Sequence, residues 1–125
     1  MKPNQPVAEI IKIDAKGKVF GRLASQVAIL LRGKNKPGFK YNVAPNVKVV
    51  VTNLSSLGFT GTKLDTKIYY RFSGYPGGIK KMSLGEWWAK QPERLFRHTV
   101  KLMLPKNRLS ARLLTNLKTY SETEK

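Results

Sequence analysis

The sequence predicts an α/β fold: a three-layer α/β/α single domain, with a small, mostly parallel central sheet between helices. Three observations carry this. Short β-branched runs alternate with longer stretches of helical period, the order that strand–helix–strand units require. The run Val47–Thr52, VKVVVT, is almost continuously apolar, as in a central strand buried between neighbours. Finally, 125 residues with 41% apolar content suit one modest core, and no internal repeat or second domain is visible.

Each element has a local reason. Residues 1–8 hold two prolines among polar neighbours and read as a flexible lead-in to a domain spanning 9–121. EIIKI (Glu9–Ile13) is short and β-branched, a strand, and Asp14–Lys18 turns at Gly17. Phe20, Leu23, Ala24, Val27, Leu30 and Leu31 then share one face of a helix from Phe20 to Gly33. Arg32 suits its C-terminal dipole and Gly33 its cap. A basic loop follows, Arg32–Tyr41, before the VKVVVT strand. NLSSLGFTGTK holds a short turn or helix and a brief extended piece. Thr66–Phe72 is a further strand, and YYRFSGYPGGIKK continues it into a glycine-rich cationic loop. SLGE (Ser83–Glu86) is a capping box that opens a helix through Trp87 and Trp88. Pro92 starts another helix, which Pro105 ends. Its apolar stripe is Leu95, Thr99 and Met103, or alternatively Phe96 and Val100. A last helix spans Arg108–Leu117, and residues 122–125 form a polar tail.

Charge narrows the function. The chain has 24 Lys+Arg against 7 Asp+Glu, a formal net charge of +17, and no acid between Ala15 and Leu64. Self-repulsion on that scale opposes compaction unless a polyanion relieves it. No apolar run reaches the roughly 18–20 residues that span a bilayer, and the N-terminus lacks a signal-peptide pattern. A soluble intracellular protein with a nucleic-acid partner is the expectation, with no membrane, no small-molecule substrate and no self-association.

Enzyme readings fail for want of parts. Cysteine is absent and His98 is the only histidine. It sits among Arg94, Arg97 and Lys101 with no carboxylate to orient it, so a surface or RNA-facing role is expected. Glu86 and Glu93 already serve helix starts, leaving no acid pair or metal set. Neither G-x-x-x-x-G-K-[ST] nor G-x-G-x-x-G occurs, so no cofactor is expected. Trp87 and Trp88 read as core and half-exposed cover.

What remains is a phosphate-binding surface. Arg32, Lys36 and Lys40 cluster after the first helix. Lys63 and Lys67 precede the glycine loop. Arg71, Lys80 and Lys81 flank it, where Gly74, Gly77 and Gly78 allow close backbone approach to phosphate. Tyr70, Phe72 and Tyr75 offer stacking faces for unpaired bases. Lys106, Arg108 and Arg112 lie near the last helix. Contacts scattered over loops and helices suit a folded RNA better than a regular duplex groove, and no sequence-reading helix or sheet signature is present. Two rivals remain: a DNA-compacting module, and an RNA-processing enzyme acting through His98.

Several stretches together resemble one family. IDAKGKVFGRLASQVAILLRGKNK is similar to the V-D-A-x-G…G-R-L-A…L-x-G-K opening of the L-thirteen family of large-subunit ribosomal proteins. VVVTNLSSLGFTGTK resembles its next strand and T-G-x-K turn. KIYYRFSGYPGGIK resembles its Y-x-x-x-G-x-x-G-G-x-K loop, and KQPERLFRHTVKLMLPKNRL its P-E…M-L-P-K segment. The resemblance runs in order over about residues 9–121. It implies a compact α/β/α domain that binds large-subunit rRNA, sits beside other large-subunit proteins in the cytoplasm and supports early assembly. It also raises the reading of a feedback repressor on its own messenger. Positions matching the family motifs include Arg22, Arg32, Lys34, Lys63, Gly74, Gly77, Gly78, Lys80, Arg94, Lys101 and Lys106. Charge adds Lys36, Lys40, Lys67, Arg71, Lys81, Arg97, Arg108 and Arg112 to the expected RNA-binding set, together with Tyr75. Three departures stand out: Leu102 where glycine is usual, Arg71-Phe72 where histidines are common, and Asn107–Ser110 in place of a glycine-bearing turn.

Overall fold

The computed structural model describes residues 9–37 and 45–122. Strand β1 (Glu9–Asp14) lies parallel to β2 (Val47–Thr52), with Glu9 opposite Val47 and Asp14 opposite Thr52. Helix α1 (Phe20–Arg32) begins the connection between them. Strand β5 (Leu117–Thr119) pairs parallel on the far side of β2, which is therefore central, as its sequence indicates. The α/β class and the small, mostly parallel sheet are as the sequence predicts.

Helix α1 buries Phe20, Leu23, Ala24, Val27, Ala28 and Leu31 along one face. Gly33 ends it at φ 75°, a left-handed conformation natural to glycine, and its amide closes on the Ile29 and Leu30 carbonyls. The helix has no side-chain N-cap. Its start is instead pinned by backbone: the Phe20 amide donates to the Gly58 carbonyl at 3.0 Å, and the Gly58 amide to Lys18 at 2.9 Å. A single 3-10 turn (Leu54–Ser56) precedes Gly58. Asn53 enters that turn in the left-handed region, φ 58°, and its amide side chain donates to Asp14. That hydrogen bond, with the Lys16 amide behind it, holds the exposed Asp14 carboxyl below its ordinary pKa.

Helix α2 (Lys63–Thr66) is one turn, so the strand expected from Thr66 starts later, as β3 (Ile68–Phe72). Strand β4 (Ile79–Ser83) returns antiparallel to it, and the glycine stretch is therefore the tip of a β-hairpin. Helices α3 (Leu84–Lys90), α4 (Pro92–Met103) and α5 (Arg108–Thr115) follow. The side-chain N-cap half of the capping box is present, the Ser83 hydroxyl accepting from the Glu86 amide at 3.3 Å.

Two expectations change here. The last helix ends at Thr115 rather than Leu117, because the next residues complete the sheet. Asn116 accepts from Val49 and Tyr120 donates to Val51, so the free edge of β2 is hydrogen-bonded. On α4 the buried residues are Leu95, Phe96, Thr99 and Val100, so the two alternative stripes form one broad face. Met103 is 42% exposed and Leu104, just past the helix, fills the core at 3%.

One core joins these pieces. Val47, Val49, Val51 and Leu117 from the sheet meet Leu23, Val27 and Leu31 of α1, with Leu95, Phe96 and Val100 of α4. Phe20, Phe59, Trp88 and Phe96 cluster at one end, with rings 5.0–5.8 Å apart. The alternate face of the sheet presents Ile10, Lys12, Lys48 and Lys118 outward.

Candidate nucleic-acid interface

The hairpin tip is set by backbone demand. The Gly78 amide donates to the Tyr75 carbonyl and the Ser73 amide to the Gly78 carbonyl, both at 2.9 Å. Pro76 and Gly77, the latter at φ 72°, occupy the central positions that a type II turn assigns to them. Gly74 at φ 90° is also left-handed, and a Cβ on Gly78 would lie 2.9 Å from the Tyr75 carbonyl oxygen. The glycines build an ordered tip, and the Ser73 and Gly78 amides are satisfied within it. Side chains supply its positive charge.

Alternation along the hairpin makes two chemically different faces. One carries Ile68, Tyr70 and Phe72 opposite Ser83, Lys81 and Ile79. Tyr70 and Phe72 are 65% and 67% exposed, Tyr75 at the tip 75%, and the Lys81 ammonium lies 5.8 Å from the Tyr70 ring. The other face pairs Tyr69 with Met82 and Arg71 with Lys80. Tyr69 packs edge-on against Trp87 at 5.0 Å, and His98 lies 5.2 Å from Trp87. Burial lowers the His98 pKa, and the nearby Lys101 and Lys67 ammoniums lower it further.

Between that second face and helices α3 and α4 runs a groove of about 510 Å³, lined by Arg71, Met82, Trp87, Lys90, Gln91, Arg94 and His98. A second groove, about 560 Å³, sits at the α4–α5 junction, where Lys101, Lys106 and Arg108 meet the capped start of α5. There the Asn107 side chain accepts from the Ser110 amide at 3.2 Å. A third, about 330 Å³, is lined by Arg32 and Lys34 with Ser25, Ile29 and Met103. Among the described residues no carboxylate lines any of these three.

The profile of the family described as Ribosomal protein L13 matches residues 8–125. A large ribosomal subunit protein uL13 of Thermus thermophilus is 50% identical over 119 residues, covering 95% of this chain and 85% of its own length. The uL13 of Chloroflexus aggregans is 48% identical over 120 residues, covering 96% and 84%. That of Thermotoga petrophila is 44% identical over 124 residues, covering 99% and 83%. The chain belongs to the ribosomal protein L13 family.

This L13 chain brings together some of the expected residues and separates others. Arg71 and Arg94, distant in sequence, share the first groove. Lys101, Lys106 and Arg108 share the second, and Arg32 and Lys34 the third. Lys80 and Lys81 lie exposed on opposite faces of the hairpin. Arg22 and Arg112 are exposed on α1 and α5. Lys67 stands 5.4 Å from the Tyr69 ring. Lys36 forms an ion pair with Glu9. Lys63 opens α2, while Lys40 lies outside the described residues. Arg97 turns inward: its guanidinium donates to the Leu117 carbonyl at 2.8 Å and to Leu114 at 3.3 Å.

Sequence reasoning missed Trp87, Lys90, Gln91 and His98 as partners in one groove. A signal existed. Lys90, Arg94 and His98 recur every four residues, the spacing of a single helical face, although Pro92 interrupts the run. All three departures noted in the sequence touch these grooves, Arg71 in the first and Leu102 with Asn107, Arg108 and Ser110 in the second. Among the described residues no helix is long and apolar enough to cross a membrane.

Proposed function

We propose that this chain is a structural constituent of the large ribosomal subunit and not an enzyme. It binds large-subunit rRNA in the cytoplasm, next to other large-subunit proteins. It acts as a monomeric domain, residues 9–121, that aids assembly by neutralising phosphates so that RNA segments can approach. The observation that carries this reading is a set of three cationic grooves with no carboxylate among their described lining residues, one of them beside a hairpin whose exposed face sets Tyr70 opposite Lys81. Phosphate rows meet the grooves, and unpaired bases meet Tyr70, Phe72 and Tyr75.

The test is the salt dependence of binding. Full-length protein is titrated with large-subunit rRNA and with duplex DNA of matched length at several salt concentrations. Each phosphate contact contributes about 0.7–0.9 to the slope of log affinity against log salt. Lys80→Ala/Lys81→Ala should lower that slope by about 1.4–1.8 on the same basis. An unchanged slope removes the hairpin from the interface. Equal affinity for rRNA and duplex DNA would favour a DNA-compacting module instead.

A further inference from the structure

The groove between the hairpin and helices α3 and α4 differs in kind from a row of surface lysines. It is concave, and its volume of about 510 Å³ falls in the range of small-ligand pockets, about 300–1,000 Å³. Its lining divides by chemistry. Arg71, Lys90 and Arg94 supply positive charge, while Trp87, His98 and Gln91 supply ring surface and an amide.

The charge there is unrelieved. Arg71 stands directly opposite Lys80 in the hairpin register, and like charges across a strand pair disfavour the folded hairpin. No lining carboxylate offsets them. A bound anion would. The rings are already fixed. Tyr69 meets the Trp87 indole at an interplanar angle of 86°, and His98 lies against it at 42°, so the wall is preorganised before any ligand arrives. Gln91 is oriented as well, its amide oxygen accepting from Arg94 at 3.4 Å, which leaves the amide nitrogen to donate. Base-stacking surface, an amide edge and a cluster of cations together match the parts of one nucleotide.

We infer that this groove takes a single unpaired nucleotide of the bound RNA, its base against Trp87 and Gln91 and its phosphate on Arg71, Lys90 and Arg94. This rests on the rRNA-binding reading above and adds a specific subsite to it. The source is a strand rather than a free nucleotide. No glycine-rich phosphate cradle lines the groove, and Lys80 beside Arg71 is placed for the next phosphate along a chain.

Tryptophan emission tests it. The chain has two tryptophans, and Trp88→Phe leaves Trp87 as the only reporter. The full-length Trp88→Phe protein is titrated with hexaadenylate RNA, with an abasic hexamer of equal charge, with AMP and with large-subunit rRNA. Hexaadenylate should quench Trp87 and bind at least tenfold tighter than the abasic hexamer. Arg94→Gln, an exposed change outside the Trp87–Tyr69–His98 packing, should weaken both hexamers by the loss of one phosphate contact while leaving the preference for hexaadenylate and the unliganded emission unaltered. Loss of the preference with the phosphate contact would overturn the division of the groove into base and phosphate sides. Equal binding of the two hexamers without quenching, with rRNA binding retained, overturns the subsite and leaves the rRNA reading standing. Loss of rRNA binding as well overturns both. AMP binding as tightly as the hexamer would overturn the strand assignment.

Discussion

His98 shows what one residue's surroundings decide. Its sequence neighbours are cations, but its spatial neighbours are the rings of Tyr69 and Trp87. Burial comes first among the causes that hold its pKa below the ordinary 6.5, with Lys101 and Lys67 adding to it. The sign follows from linkage. Above 6.5 the imidazole is neutral in both folded and unfolded chains and contributes no pH dependence. As pH falls below 6.5 the unfolded chain takes up the proton first, so the folded state loses stability until pH passes the lower, folded value. Urea midpoints measured at about pH 8 and about pH 5 should therefore fall, and His98→Gln should flatten the difference. Asp14 does not interfere, since its carboxyl titrates below 3.8 in the folded chain. An equal fall in wild type and variant would place the proton elsewhere. From the sequence His98 reads as a surface or RNA-facing residue among cations. Its ring partners, eleven and more positions away in sequence, were not legible there.

At the scale of elements, the least legible pieces were those held by long-range pairing. Strand β5 is three residues long and follows α5 without a glycine or proline, so periodicity carries the helix through it. Strand β4, IKKMS, directs Ile79 to the exposed hairpin face and lacks the apolar alternation that marks a half-buried strand. By contrast α1, β2 and the SLGE cap rest on local chemistry and were legible nearly to the residue. What fixes β5 is α4. Arg97 holds the carbonyls of Leu114 and Leu117, and one turn earlier Glu93 accepts from both the amide and the hydroxyl of Ser121 at 3.0 Å. The two side chains clamp the C-terminal segment on the sheet edge. Arg97→Met keeps the aliphatic stem and removes the donors, at a cost of about 1.5–3 kcal/mol for hydrogen bonds to a charged group. Amide exchange at Tyr120, which donates to Val51, should accelerate more than exchange in α1. The same variant separates structure from recognition. A salt slope for rRNA that stays at the wild-type value keeps Arg97 inside the protein. A slope lowered by a full phosphate contact would put it on the RNA.

At the scale of the whole molecule, stability and function draw on the same charges with opposite sign. The core is modest, and around it the chain carries +17, with acids already committed: Glu93 to Ser121, Glu9 to Lys36 and Asp14 to Asn53. Among the described residues the grooves hold no carboxylate, so their cations repel one another in the protein alone. Salt screens that repulsion, the Debye length shrinking from roughly 30 Å at 0.01 M to about 10 Å at 0.1 M. The protein alone should therefore become more stable as salt rises, by roughly 3–6 °C in Tm for each kcal/mol of repulsion relieved in a domain of this size. Its affinity for rRNA should fall over the same interval, because counterions released into more concentrated salt gain less entropy. Thermal melts and binding isotherms in one salt series would show both trends together. A Tm that stays flat or drops with salt would mean that the cations are spaced widely enough not to strain the fold. The grooves would then be ordinary solvated surface, and the case for phosphate rows lying in them would lose its physical basis. Opposed trends, with Lys80→Ala/Lys81→Ala weakening both, would tie the repulsion to the hairpin that meets the RNA.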